Sequence, residues 1–237
     1  MTVRSEVLDG VALIHLDRPH RLNAVTDALS IDLAKALRAA EGKAVAVVIA
    51  GVGRAFCSGH DLREPLPEED VLAVRARVER IQEVTRAIRE FSGPVIAAVH
   101  GYALGAGFEF ALGCDLVVAA RDAIFGFPEV EVGLSVTGAV SRLLPLLVGP
   151  LRAKELLLLG ERITAERAAD LGMVNRLVEP GEHEKVALEL AGRFRDRPKL
   201  SVALAKRAVD RGIDQSVAEA MATEVDHAVL TAGTDHG

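Results

Sequence analysis

The sequence predicts an α/β protein that becomes mainly helical in its last third, and three observations carry that expectation. The runs Ala44 to Ala50 and Val95 to Val99 are apolar without alternation, the pattern of strands covered on both faces in a parallel sheet. Stretches with apolar residues at helical spacing separate these runs, as in successive βα units. Beyond Gly149 helical spacing dominates, so residues 1–149 are expected to form a core and residues 150–237 a mainly helical region packed on the sheet or on another subunit.

The elements follow in order along the chain. Val11-Ala12-Leu13-Ile14-His15-Leu16 is a strand, ended by the turn-forming Asp17-Arg18-Pro19. Thr26 caps a helix whose Leu29, Leu33, Ala36, Leu37 and Ala40 recur at helical spacing. After the Ala44 strand a longer helix spans Glu68 to Phe91, with Leu72, Ile81, Val84 and Ile88 on its apolar face, and leads into the Val95 strand. A short strand follows from Asp115 to Ala119. Helices are expected at Pro150 to Leu159, Thr164 to Leu171, Glu182 to Phe194, Lys199 to Val209 and Gln215 to Leu230, interrupted by a small strand, Val174 to Val178. The sequence holds no internal repeat, low-complexity tract or flexible linker.

Composition removes several function classes. The 237 residues are 50% hydrophobic and 26% charged, enough for one substantial core. Lys and Arg number 28 against 34 Asp and Glu, a net charge of −6, and no basic stripe or stacking aromatic cluster is present, which argues against a nucleic-acid partner. Met1 to Glu6 contains no apolar signal-peptide core and no apolar segment reaches membrane-span length, so the protein is expected in the cytoplasm without a membrane partner. The two cysteines, Cys57 and Cys114, are flanked by small or apolar residues and fit buried hydrophobes better than nucleophiles or metal ligands; no metal is expected. No dinucleotide fingerprint, phosphate-binding Gly-Lys-Ser/Thr loop or nucleophile-elbow serine occurs.

What remains is a pair of acids. Glu109 closes the glycine-rich stretch Gly101 to Glu109, directly after the Val95 strand, and Glu129 closes Phe125-Gly126-Phe127-Pro128-Glu129. Most glutamates are solvated surface groups, but burying a carboxylate costs several kcal/mol, so two of them inside apolar, glycine-punctuated sequence point to acid/base chemistry on a polarised carbonyl. Ala106 falls at a helix start, where an N–H lacks an intrahelical partner and the dipole favours an anion.

The chain resembles the crotonase family, the enoyl-CoA hydratase/isomerase superfamily. The residues carrying the resemblance run in order: Arg18-Pro19-His20-Arg21-Leu22-Asn23-Ala24, Arg54 through Leu62, Gly101 through Glu109, Phe125 through Leu134, then Leu143 through Gly149 and Gly172-Met173-Val174-Asn175. The resemblance implies a crotonase-like spiral of ββα units, a helical C-terminal region that makes homotrimers often paired into hexamers, and a site for acyl-CoA thioesters. Coenzyme A is then part of the substrate and no separate cofactor is expected. By motif position the oxyanion-hole N–H groups belong to His60 and Ala106, and Glu109 and Glu129 match the paired carboxylates of the family's hydratases. Glu109 would activate the water and Glu129 would supply the proton. Arg21 is implied as a contact for the coenzyme A phosphates, and Ala24, Ser58, Gly59, Asp61, Leu62, Tyr102, Gly105, Pro128 and Leu134 as further substrate contacts.

Asp61 is also expected to support the oxyanion loop, Asp115 to hold a turn or pair an arginine, and Glu131 to share a face with Glu129 if that segment is extended. The implied activity is hydration of 2-enoyl-CoA to 3-hydroxyacyl-CoA; the alternatives are a double-bond isomerase, which can work with one carboxylate, and a non-catalytic acyl-CoA binder. Fatty-acid degradation is the commonest setting for the family. Two departures from the pattern stand out. Ser135-Val136-Thr137-Gly138-Ala139-Val140 replaces a proline and glycine-rich turn near the acyl group, and after Thr234-Asp235-His236 the usual last helix and basic tail are expected to be missing.

Overall fold

A computed structural model describes residues 2–63 and 70–232. The strands are β1 (Val3–Leu8), β2 (Val11–Leu16), β3 (Ala46–Gly51), β4 (Val95–Val99), β5 (Tyr102–Leu104), β6 (Leu116–Ala120), β7 (Ile124–Gly126), β8 (Ile163–Thr164) and β9 (Arg176–Val178). The helices are α1 (Asp27–Ala40), α2 (Val71–Glu90), α3 (Ala106–Gly113), α4 (Val140–Val148), α5 (Pro150–Leu159), α6 (Ala165–Asp170), α7 (His183–Gly192), α8 (Lys199–Gly212) and α9 (Val217–Ala232).

One six-stranded sheet runs in the order β1-β2-β3-β4-β6-β9, and a three-stranded sheet in the order β5-β7-β8. In the larger sheet only β1–β2 is antiparallel. β3 and β4 are buried at every residue because apolar layers cover both faces. On one face α1, α2 and α3 contribute Leu29, Leu33, Leu37, Ile81, Val84, Ile88 and Phe110 to the main core; on the other, α7 contributes Ala187 and Ala191. The chain therefore leaves each strand of the parallel sheet, covers it with a helix and returns, the α/β architecture expected of a crotonase-like spiral.

Several details correct the expectations. β1 was not foreseen: Arg4, Ser5 and Glu6 are exposed and only Val3 is buried, so no hydrophobic pattern marks it, although Asp9-Gly10 (φ 46° and 77°) supplies the left-handed turn of a hairpin. β3 sits at Ala46–Gly51 rather than 44–50, because Ala44 closes the turn after α1 by donating to Ala40, and Val45 donates to Gly10 ahead of the ladder. α4 was also unforeseen, since Pro145 lies inside it and Gly138 and Ala139 precede it at positive φ. β5, β7 and β8, of two or three residues, are too short to show a period. α2 starts at Val71, capped by Asp70, whose side chain accepts the N–H of Ala73 (2.8 Å). The expected helix start at Glu68 lies outside the described residues, as do Thr234, Asp235 and His236. No helix among the described residues is long and apolar enough to cross a membrane.

Candidate active site

The site grows from two turns held side by side. Asn23, fully buried at φ 56°, accepts the N–H of Arg18 at Oδ1 (2.8 Å) and donates through Nδ2 to the carbonyls of Val52 (3.0 Å) and Ala55 (2.8 Å). The chain then passes along β5, where Cys57 donates its N–H to Tyr102 and accepts that of Leu104. Val25 donates to Gly59 (2.8 Å) and accepts from Asp61 (3.0 Å), which brackets His60.

Gly59 (φ 88°) and Gly105 (φ 50°) meet backbone to backbone: a Cβ on Gly59 would lie 2.8 Å from the Leu104 carbonyl oxygen. Only glycine permits both the approach and the dihedral angles. Each glycine delivers the residue after it to the same place. Ala106 opens α3, so its N–H has no intrahelical partner. Neither the N–H of Ala106 nor that of His60 meets an acceptor among the described residues. Both residues line one cavity of about 450 Å³.

Glu109, one turn after Ala106 on α3, reaches the same cavity and is 1% exposed. Its Oε1 accepts the N–H of Thr137 (2.6 Å) and its Oε2 accepts the Thr137 hydroxyl. The Thr137 loop is itself tied to α2, Gly138 donating its N–H to Gln82 Oε1 (3.0 Å). Glu129 enters from a 3₁₀ turn, Pro128–Val132, and is 8% exposed. A Cβ on Gly105 would sit 2.9 Å from its Oε1, and its Oε2 is buried with no hydrogen-bond partner among the described residues. Phe108, beside Glu109, stacks on Phe127 at 4.6 Å and tilts against Phe125 at 4.8 Å, so one aromatic cluster fixes the separation of the two acid-bearing segments.

The two acids differ electrically. Burial pushes Glu129 up to about 7, and the charge of Glu109 adds to that rise. Burial also raises Glu109, but the two Thr137 bonds oppose it. The His60 imidazole is held below its ordinary value by burial and then by the charge of Arg77.

Of the expected residues, Ser58, Gly59, His60, Leu62, Gly105, Ala106, Glu109, Pro128, Glu129 and Leu134 line the cavity. Arg21, Ala24 and Tyr102 stand outside it. Arg21 is half-buried at the end of the Pro19–Arg21 turn, Ala24 is buried with its carbonyl accepting from Arg18, and the Tyr102 ring lies under the Arg162 guanidinium at 5.8 Å. Asp61 turns aside to pair with Arg18 (2.9 Å).

Asp115 pairs with a lysine instead of an arginine: α8 brings Lys206 to 2.8 Å, and Asp115 also accepts the N–H of Val95 (2.7 Å). Glu131 does not share a face with Glu129. The segment is a 3₁₀ turn, in which residues two apart point in different directions, and Glu131 is exposed. Cys57 is buried with its thiol pushed up to about 12 by burial, and burial raises Cys114 as well, so neither favours thiolate.

Thr137, Gln82 and Arg77 also reach this cavity and were not foreseen. For Gln82 and Arg77 the available signal was their spacing with Val74 and Val78 along one side of α2; for Thr137 it was the unusual 135–140 segment itself.

The model of the family described as enoyl-CoA hydratase/isomerase matches residues 6–236. The chain belongs to the enoyl-CoA hydratase/isomerase family. Among curated relatives of this family, a crotonyl-CoA hydratase of Syntrophomonas wolfei is 34% identical over 223 residues, covering 92% of this chain and 85% of its own. The bovine enoyl-CoA hydratase domain-containing protein 2, mitochondrial, is 37% identical, covering 91% of this chain and 75% of its own. The crystal structure of an enoyl-CoA hydratase from Bacillus anthracis superposes with a TM-score of 0.93 at 30% identity, over 99% of this chain and 92% of that one. Family membership makes an acyl-CoA thioester the consistent ligand for the cavity.

Proposed function

We propose that the protein hydrates 2-enoyl-CoA thioesters to 3-hydroxyacyl-CoA. One observation carries this: two backbone N–H groups without acceptors among the described residues share a cavity with two buried carboxylates in unequal surroundings. In this reading the thioester oxygen lies between the amides of His60 and Ala106. As the water oxygen bonds to C3, the C2–C3 π pair shifts into the C1–C2 bond and the carbonyl π pair moves onto the thioester oxygen, forming an enolate for which each preorganised donor contributes about 3 kcal/mol of barrier lowering. Glu109, whose charged form the two Thr137 donors favour against the burial-driven rise, takes the proton from the water. Glu129, whose Oε2 has no hydrogen-bond partner among the described residues and which burial pushes up to about 7, gives its proton to C2 as the enolate collapses. The proton left on Glu109 returns to Glu129 directly or through solvent, which closes the cycle. Coenzyme A travels with the substrate and the scheme uses no other cofactor.

A second reading, double-bond isomerisation, draws support from Thr137. It engages both oxygens of Glu109, leaving Glu129 the freer carboxylate, and one carboxylate suffices to carry a proton between carbons. Assaying purified protein with crotonyl-CoA and with a 3-enoyl-CoA separates the two. Loss of the conjugated enoyl absorbance from crotonyl-CoA is expected; turnover of the 3-enoyl substrate alone would replace hydration by isomerisation, and no turnover of either would remove both.

We also infer a homotrimer or dimer of trimers. α9 carries Val217, Met221, Val225 and Val229 at four-residue intervals, 61–78% exposed, an apolar stripe suited to a second copy. Light scattering that returned a monomer mass would overturn this.

A further inference from the structure

We infer that the acyl group this site accepts carries a terminal carboxylate, with the Arg77 guanidinium as its receptor. The inference rests on the enoyl-CoA reading above and names the substrate class within it.

Arg77 faces the main cavity from α2, between Val74 and Val78, in a wall whose other members include Leu62, Leu134 and Val136. It also lines a smaller side cavity of about 110 Å³ that shares His60, Leu62 and Leu134 with the main one. Two acids border this side cavity, and both are already neutralised. Asp27 pairs with Arg80, and Asp61 pairs with Arg18 at 2.9 Å while accepting the N–H of Arg63. The His60 ring beside them is pushed toward its neutral form.

The other arginines of α2 each make an ion pair. Arg75 pairs with Glu79, Arg80 with Asp27, Arg86 with Glu83 and Arg89 with Asp210. Arg77 makes no ion pair or hydrogen bond among the described residues, so among them the junction of the two cavities holds one positive charge without a partner. A half-buried guanidinium against apolar walls gains from an anion that completes it, and its planar fork fits a carboxylate through two parallel hydrogen bonds. The substrate can bring such an anion in two ways, as a carboxylate on the acyl chain or as a phosphate of coenzyme A. The apolar wall that surrounds Arg77, built from Leu62, Val74, Val78, Leu134 and Val136, suits an acyl chain better than a phosphate and favours the acyl end.

The test compares kcat/KM of the protein for glutaconyl-CoA and its homologues one and two carbons longer with that for neutral straight-chain 2-enoyl-CoAs of equal carbon number. At the best length the carboxylated substrate should win by about tenfold or more, the worth of one charge-assisted contact. Arg77→Gln should bring that ratio to about one, and Arg77→Glu should invert it. No carboxylate preference at any length would overturn the inference while leaving hydration intact. A ratio unchanged in Arg77→Gln, both substrates losing equally, would overturn it in favour of a phosphate contact. If neither class is hydrated, the enoyl-CoA hydration reading fails instead. Competition binding of a carboxylated against a neutral saturated acyl-CoA, in wild type and Arg77→Gln, then decides the role of Arg77.

Discussion

Asp115 and Glu129 are both carboxylates that burial drives toward the protonated form, yet the chain treats them in opposite ways. Asp115 receives Lys206 at 2.8 Å and the Val95 N–H at 2.7 Å, and Lys206 in turn donates to the carbonyls of Ile88 (3.1 Å) and Gly93 (3.2 Å). That cluster ties α8 to the end of α2 and the start of β4. Glu129 has an aromatic cluster behind it, a glycine backbone against one oxygen and, among the described residues, no hydrogen bond to the other. A fold that can satisfy one buried acid completely has no general need to leave another wanting; the unmet bonding capacity of Glu129 is what a substrate or water would use.

The largest effect that should separate the two regions is catalytic. Glu129→Gln keeps the shape but removes the proton donor, so kcat for enoyl hydration should fall by roughly 10²- to 10⁴-fold, with acyl-CoA binding nearly retained. Turnover within a few fold of wild type would remove Glu129 from the mechanism.

Next in size is a structural effect. Lys206→Met strands Asp115 without its cation, and with the Asp115 side chain 22% exposed the loss should be about 2–3 kcal/mol in a denaturant titration, below the range for a fully buried pair. Activity per folded molecule should stay close to wild type. A stable but inactive variant would mean the two regions are coupled rather than distinct.

Legibility in the sequence follows the same division between local and distant causes. β3 and β4 could be read because both faces of each strand are buried, which forces a continuous apolar run. Glu109 and Glu129 could be picked out because each interrupts apolar sequence beside glycine or proline, and folding brings both to one cavity. β1 could not, since five of its six residues face solvent at the sheet edge. The grip of Thr137 on Glu109 joins residues 28 apart, the pairing of Asp115 with Lys206 joins different ends of the core, and the isolation of Arg77 depends on which acids its neighbours have taken. Such relations come from three-dimensional packing and leave no period or motif along the chain.

Thr137 offers a finer contrast, this time between the two glutamates. Thr137→Val is nearly isosteric and deletes one of the two donors that oppose the burial-driven rise at Glu109. The base must be ionised to act, so the low-pH limb of kcat/KM should move to higher pH. A charge-assisted hydrogen bond contributes about 1.5–3 kcal/mol, so neutral-pH turnover should drop about tenfold or more. Thr137→Ser should restore both the limb and the rate. An unshifted limb with lowered turnover would mean that Thr137 only packs the loop.

The smallest effect is on stability, and its sign follows from Glu129 alone. Its folded-state value of about 7 lies above the ordinary 4.5, so between those pH values the folded protein holds a proton that the unfolded chain has released. The corresponding stabilisation is complete below about 4.5 and is lost as pH rises through about 7. Glutamine does not titrate, so the melting temperature of Glu129→Gln relative to wild type should rise between pH 5 and pH 8. Glu109→Gln should show the same trend more weakly, because the Thr137 bonds already stabilise that carboxylate when it is charged. If calorimetry gave a gap for Glu129→Gln that does not change with pH, its charged form would have to be as well solvated in the fold as in water, and the contrast with Asp115 would no longer hold.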